Sequence, residues 1–154
     1  MIPLAEPDGI IIDDDRCFAC GSDNPAGLKL KFRIQPGSGK AVCETSIRDE
    51  FSGWKNAAHG GIITTLLDET MVYACTSTGW HTVTGTITVK FHRPVPTGRI
   101  VTVTGTVVEN RGRSITARGT ITLEGALLAS AEAVLIPIRK VENFMESISG
   151  RLVT

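Results

Sequence analysis

Two glycines and a carboxylate, spaced along one predicted helix, form the most chemically suggestive group in this sequence. Gly60 and Gly61 open the helix, and Asp68 follows in its third turn. The first backbone N–H groups of a helix lack partners within the helix and lie at its positive end. Because glycine has no Cβ, a carbonyl oxygen can approach these groups closely, as in an oxyanion site. A glycine pair is also typical of a plain, tightly packed helix start.

Asp68 is of interest because a carboxylate on a buried helix needs either a partner or a function. Its neighbour Glu69 lies about 100° away around the helix, so the two acids cannot share one role. Thr64, Thr65 and Asp68 form the more polar side of an otherwise apolar helix. The alternative interpretation is that Asp68 and Glu69 mark the solvent-facing side.

The distance between the glycine pair and Asp68 along the helix predicts an oligomer. Gly60 and Asp68 are separated by about 12 Å along a helix axis, so they cannot readily meet around one carbonyl carbon within a single chain. In a twofold dimer with antiparallel helices, the helix start of one chain would face Asp68 of the other, giving two equivalent sites. We therefore expect a homodimer or a dimer of dimers.

The hydrophobic pattern predicts an α+β fold in which a curved antiparallel sheet wraps around this helix. Apolar residues recur every three or four positions over roughly 60–77, and Gly79 is a suitable terminator. Alternating patterns predict six strands at roughly 28–34, 40–48, 83–93, 100–109, 114–123 and 127–136. Short turns join the last four strands, which predicts a meander. A single helix leaves one face of the sheet uncovered, and we assign to that face small polar residues: Thr84, Thr86, Thr88, Thr102, Thr104 and Thr106.

Length and composition indicate one domain. The chain has 154 residues, with sixteen basic and sixteen acidic residues, and without a block of like charge neither nucleic acid nor membrane is an expected partner. Residues 1–16 are expected to be irregular and not a signal peptide, 17–140 to form the domain, and 141–154 to form a tail that could include a short helix.

With no stretch near the ~20 apolar residues of a membrane span, we expect a cytoplasmic protein with reduced cysteines.

Several runs of residues resemble one known family. The run HGGIITTLLDE at 59–69 resembles the helix of hotdog-fold acyl-CoA thioesterases, in particular the phenylacetate-pathway type and the mammalian thioesterase-superfamily members. Other similar runs lie at 82–95, 112–136 and 17–28, the last being similar to one bacterial subgroup. The resemblance as a whole extends over roughly residues 17–138. The resemblance implies a hotdog fold and hydrolysis of an acyl-CoA thioester, with no cofactor beyond the CoA of the substrate.

The resemblance also implies a role for each residue of the site. Asp68 would act as a general base on water, or as a nucleophile through a mixed anhydride. The Gly60 N–H, with Gly61 beside it, would polarise the thioester carbonyl, and Thr84 would position water or Asp68. His59 would support the loop or the carbonyl site, or simply cap the helix.

Two further groups are more weakly implied. Many phenylacetate-type relatives carry Asn six positions before the histidine, where this chain has Gly53, and Asn56 could substitute for it. The phosphates of CoA could meet Arg93, Arg111 and Arg113, which fall at strand ends or turns. Taken singly, each arginine is better explained as a solvated surface charge.

Cys17 and Cys20 have the spacing of a metal or redox motif. A structural zinc ion needs four ligands, and the other cysteines, Cys43 and Cys75, fall deep in predicted elements. A redox dithiol would be followed by a helix, whereas a turn containing Pro25 follows here. We therefore interpret the motif as a structural turn and expect no metal site, with zinc binding as the alternative that stoichiometric zinc in the purified protein would establish.

Two other functions stay open. Some hotdog domains are acyl-CoA-binding modules that have lost their carboxylate, and the presence of Asp68 argues against this. Hotdog dehydratases or hydratases pair a histidine before a proline-rich stretch with a glutamate on the helix, an arrangement not found here. The sequence also contains no Ser or Cys nucleophile elbow.

Overall fold

A computed structural model describes residues 15–141, which form one long α-helix and a six-stranded antiparallel sheet. The elements in chain order are β1 (Arg33–Ile34), β2 (Lys40–Ser46), a 3-10 helix (Asp49–Phe51), α1 (Gly60–Thr76), β3 (Trp80–Phe91), β4 (Ile100–Asn110), β5 (Ile115–Leu123) and β6 (Ala126–Lys140). This architecture confirms the predicted fold class. Most of the predicted irregular lead-in and of the predicted tail with its short helix lies outside the described residues. Within 15–141, the one long helix is too short or too polar to cross a membrane.

The position of β3 corrects the predicted meander. The strand order is β1-β2-β4-β5-β6-β3, so only β4, β5 and β6 form a meander, and β3 pairs with β6 at one edge. The segment 92–99 contains Pro94 and Pro96, which cannot donate to a sheet ladder. This segment instead bridges to the loop before α1, where the Ala58 N–H donates to the Val95 carbonyl at 2.8 Å. The connection is therefore a crossover, and it leaves β3 with an open edge within the chain.

The first predicted strand is mostly extended chain rather than sheet. Burial alternates as predicted over 28–34, but the strand itself is only Arg33–Ile34. The Leu28 and Leu30 N–H groups donate to the carbonyl groups of Phe18 and Ala19 at 2.8 and 2.9 Å. The backbone partner of this segment is thus the N-terminal loop, and alternation of apolar residues reports burial without identifying that partner.

The helix packs against the sheet at two facing glycines. Gly105 of β4 and Gly119 of β5 are register partners. A Cβ added at Gly105 would lie 2.7 Å from the Thr70 carbonyl oxygen of α1, and one at Gly119 would lie 3.2 Å from a Leu67 methyl group. Any larger residue at Gly105 would therefore force the helix backbone away from the sheet.

A bulge in β3 reverses the predicted orientation of Thr84. The register with β6 shifts between Thr84 and Thr86, so Gly85 is an additional residue. Beyond it, Thr86 and Thr88 are exposed while Ile87 packs against the core, but Thr84 lies on the helix side. Bulges commonly redirect a side chain in this way. The β4 threonines alternate as predicted with buried residues: Val101, Val103 and Gly105.

Candidate active site

His59 caps the start of α1 and engages most donors of the first turn. Its Nδ1 accepts a hydrogen bond from the Gly61 N–H at 2.8 Å. Its backbone carbonyl accepts from the N–H groups of Ile62 and Ile63 at 2.9 and 3.0 Å. Within residues 15–141 the Gly60 N–H has no acceptor. Of the two glycine N–H groups, Gly60 is therefore the one that can bind a substrate oxygen while the cap stays intact.

Asp68 is held by a hydroxyl group from the neighbouring strand. The Thr84 Oγ1 donates to the Asp68 Oδ1 at 2.5 Å in a half-buried position. The bulge beside Thr84 turns this hydroxyl towards the helix. Thr64 and Thr65, the other polar residues on this side of α1, donate to carbonyl groups of the helix itself at 2.8 and 2.9 Å. The structure thus brings Asp68 and Thr84 together across two elements.

Gly53 and Asn56 occupy different places in the loop before the helix. A Cβ added at Gly53 would lie 3.2 Å from the His59 Cα, so this position is in direct contact with the cap. Asn56 is exposed and has a φ of 62°, in the left-handed region that Asn tolerates. Its carbonyl accepts from the Thr97 N–H at 3.1 Å, and its side chain makes no hydrogen bond within the described chain. The part predicted for Asn56 in the site therefore stays a prediction.

Glu69 has surroundings unlike those of Asp68. The Cys17 thiol lies 3.7 Å from the Glu69 Oε1. Burial, followed by the Cys17 thiol, raises the pKa of Glu69 to about 7. The Cys17 and Cys20 sulfur atoms and a Glu69 oxygen lie within 4.8 Å of one another and could hold a metal ion. Sequence reasoning missed this contact, although the Cys-x-x-Cys spacing was the signal that could have prompted a search for a third ligand.

An open pocket of about 420 Å³ lies beside the first turn of α1. The N-terminal loop closes one side through Phe18, whose ring meets that of Phe51 edge-on at a centroid distance of 6.1 Å. The lining residues are Phe18, Glu50, Phe51, Ser52, His59, Gly61, Ile62 and Thr65. Asp68 does not line it, so the pocket and the carboxylate are separate within one chain.

The three candidate CoA-binding arginines lie in two separate places. The Arg93 N–H donates to the Leu128 carbonyl at the start of β6. Arg111 and Arg113 lie in the β4–β5 turn, beside the pairing of Ile115 with Leu135. Positions 128 and 135 of β6 are about 23 Å apart along an extended strand. All three arginines are exposed, and Arg111 also pairs with Glu109 at 2.9 Å. One chain therefore cannot direct all three to the same phosphates.

Comparison with known families gives one match. Residues 55–130, which include α1 and β3 to β5, match the model of the Thioesterase superfamily. Among curated proteins, no sequence matches this chain significantly.

Several solved structures share the fold. The protein smu.793 from Streptococcus mutans UA159, determined bound to acetyl CoA, is 21% identical with a TM-score of 0.68, over 73% of this chain and 91% of its own. The Escherichia coli PaaI protein of the phenylacetic acid degradation operon is 23% identical with a TM-score of 0.68, over 74% and 83%. A mutant of the phenylacetic acid degradation protein PaaI from Thermus thermophilus is 26% identical with a TM-score of 0.64, over 71% and 93%.

Proposed function

The chain belongs to the thioesterase superfamily and has a hotdog fold, and we propose that it hydrolyses an acyl-CoA thioester to the free acid and CoA. The observation that carries this proposal is the Thr84–Asp68 hydrogen bond. It orients a carboxylate on the helix whose Gly60 N–H has no acceptor within residues 15–141. The acetyl CoA bound to smu.793 supports CoA as part of the substrate. Besides the substrate, the reaction needs only water.

A homodimer would complete the site. In one chain, Gly60 lies next to the Phe91 ring at the end of β3, whereas Asp68 contacts Thr84 near its start. An open strand edge can pair with a second copy. Antiparallel pairing of two β3 strands, centred between residues 87 and 88, would place Thr84 of one chain opposite Phe91 of the other. The Gly60 N–H of one chain would then face Asp68 of its partner, as the helix distance requires.

The proposed dimer also gives the arginines a shared role. Arg93 follows the end of β3, and the turn carrying Arg111 and Arg113 lies at the opposite end of the sheet. A twofold axis across β3 brings opposite ends of the two sheets towards each other. We therefore assign one CoA to Arg93 from one chain and to Arg111 and Arg113 from the other.

The geometry supports the following chemistry. The Gly60 N–H stabilises the negative charge that develops on the thioester oxygen. Asp68, oriented by Thr84, either removes a proton from the attacking water or attacks the carbonyl carbon itself. In the first route the water oxygen bonds to carbon, the C–S bond breaks, and the proton passes from Asp68 to the CoA sulfur. In the second, an Asp68 oxygen bonds to the carbonyl carbon, the C–S bond breaks, and the CoA thiolate leaves and takes a proton from solvent. Water then hydrolyses the acyl–Asp68 anhydride to the free acid and Asp68.

A thiol-release assay over straight-chain, branched and aryl acyl-CoAs tests the proposal. We expect Asp68→Asn to lower kcat/KM for the best substrate by about 10²–10⁴-fold, the usual contribution of a general base. The matched control is Asp49→Asn, which makes the same chemical change at an exposed position. Saturable acyl-CoA binding without turnover of any substrate would contradict hydrolysis and support a binding module.

The two routes are separated by isotope labelling. In H₂¹⁸O under single-turnover conditions, the anhydride route transfers an Asp68 oxygen to the first product and leaves ¹⁸O in the protein when water attacks the Asp68 carboxyl carbon. Label in the peptide containing Asp68, measured by mass spectrometry, therefore shows the anhydride route with this direction of attack. Direct attack by water on the thioester puts the label only in the free acid, as does attack on the acyl carbon of the anhydride, and trapping with hydroxylamine separates these two because only an anhydride gives an Asp68 hydroxamate.

A further inference from the structure

The N-terminal loop holds two cysteines in a tight turn. The Gly21 N–H donates to the Cys17 carbonyl at 2.8 Å. A Cβ added at Gly21 would collide with the backbone nitrogen of Cys17, so only glycine fits this closure. The turn brings the Cys17 and Cys20 sulfur atoms to the same place in the structure. The tight closure of the loop therefore holds the two thiols close together.

The helix supplies a third donor atom to these thiols. The Glu69 Oε1 lies 3.7 Å from the Cys17 sulfur, and all three donor atoms lie within 4.8 Å of one another. Cys20 is buried, while Cys17 and Glu69 are half-buried and leave access for a water molecule. Tyr73, one turn further along α1, stacks on Phe32 with ring centroids 3.9 Å apart and closes the inner side.

We propose that Cys17, Cys20 and Glu69 bind one Zn²⁺ ion, with a water molecule as the fourth ligand. Thiolate and carboxylate ligands suit zinc, and tetrahedral zinc sites place sulfur about 2.3 Å and oxygen about 2.0–2.2 Å from the metal. These bond lengths put two sulfur ligands about 3.8 Å apart and a sulfur and an oxygen about 3.6 Å apart. The Cys17–Glu69 separation of 3.7 Å already meets this requirement. Binding deprotonates the two thiols, and their protons pass to solvent.

The position of this zinc site links it to the pocket beside the first turn of α1. Phe18 lies between the two cysteines in sequence and lines the pocket at the helix start. Glu69 is the immediate neighbour of Asp68 on α1. The ion would therefore fix the loop to the helix and hold Phe18 against the substrate. The ion itself would take no direct part in the reaction. The Cys-x-x-Cys turn offers two ligands, and the helix supplies the third as the Glu69 carboxylate.

The zinc content of the purified protein tests the proposal independently of hydrolysis. Protein purified without chelators from zinc-supplemented cultures is analysed by inductively coupled plasma mass spectrometry. We expect one zinc per chain in the wild type and loss of zinc in Cys17→Ser and Glu69→Gln. Cys43→Ser is the matched control because Cys43 is buried in β2, outside the donor set, and should retain the ion.

Cobalt substitution keeps the test valid if a variant fails to fold. Wild-type protein stripped by a chelator and titrated with Co²⁺ should develop thiolate-to-cobalt charge-transfer absorption that saturates at one equivalent. Zinc should then displace the cobalt. Absence of both copurified zinc and cobalt uptake would overturn the proposal. So would a Cys17–Cys20 disulfide, detected by mass after alkylation of the protein as isolated.

Discussion

The third turn of α1 presents two neighbouring carboxylates to two different parts of the molecule. Asp68 meets β3 and accepts a hydrogen bond from the Thr84 hydroxyl group. Glu69 meets the N-terminal loop, where burial and a thiol raise its pKa to about 7. The residues are chemically similar and adjacent, yet one contacts a strand hydroxyl group and the other a thiol of the N-terminal loop. Position around the helix therefore gives each acid its own surroundings, and our proposals assign them different roles.

The largest expected contrast is in turnover. Asp68→Asn should reduce kcat by about 10²–10⁴-fold because it removes the base or nucleophile. Glu69→Gln should reduce kcat by less than about tenfold, since it disturbs only the support of the site. Steady-state kinetics on both variants, with circular dichroism to confirm folding, measure the difference. Equal losses would mean that the two sides of the helix do not have separate roles.

The contact between the helix and the sheet supports both carboxylates, so a change there tests the position of the whole helix. Gly105→Ala places a methyl group against the Thr70 carbonyl oxygen, and we expect it to lower the free energy of unfolding by about 1–3 kcal/mol. Gly119→Ala is the matched control because its methyl group meets only side chains, which can move. Urea denaturation compares them, and a smaller effect at Gly105 than at Gly119 would contradict the close backbone contact.

Removing the hydroxyl group at Thr84 tests the β3 side alone. Thr84→Ala should lower kcat/KM by about 10- to 100-fold, since a hydrogen bond to a charged group contributes about 1.5–3 kcal/mol. Thr84→Ser keeps the donor and should recover most of the activity. Failure of serine to do so would indicate that the methyl group, rather than the hydroxyl, is needed.

The smallest effect is expected at the wall of the pocket. Phe18→Ala should raise KM about fivefold with little change in kcat, because a partly exposed ring contributes about 1 kcal/mol of apolar contact. Leu127→Ala is the control, since the two side chains are exposed to 41% and 42% and Leu127 is on β6, away from the pocket. A lower kcat at unchanged KM would assign Phe18 to the chemical step instead.

The limits of α1 could be predicted closely from the sequence. The helix begins at Gly60, as expected, and ends at Thr76, one residue before the predicted end. Helix periodicity and a glycine terminator are local signals, so they need no knowledge of the fold. The start of β4 at Ile100 was predicted for the same reason, because residues 94–98 form a strong turn signal.

Contacts between distant segments could not be predicted in this way. β3 pairs with β6 and not with the next strand in the chain, β4, because the proline-containing segment 92–99 leads the chain away from β3. The orientation of Thr84 depends on a bulge that strict alternation of faces cannot reveal. Both features arise from pairing between strands, which single-strand patterns do not encode.

The sequence by itself determined that one helix packs against an antiparallel sheet. It also determined that glycines open this helix and that an acid lies in its third turn. These properties follow from spacing along one segment, where the geometry of the helix sets every distance. Only the tertiary structure decided which hydroxyl meets Asp68 and which thiols meet Glu69. The Cys17–Glu69 contact joins positions 52 residues apart, and such a contact exists only once the loop has packed against the helix.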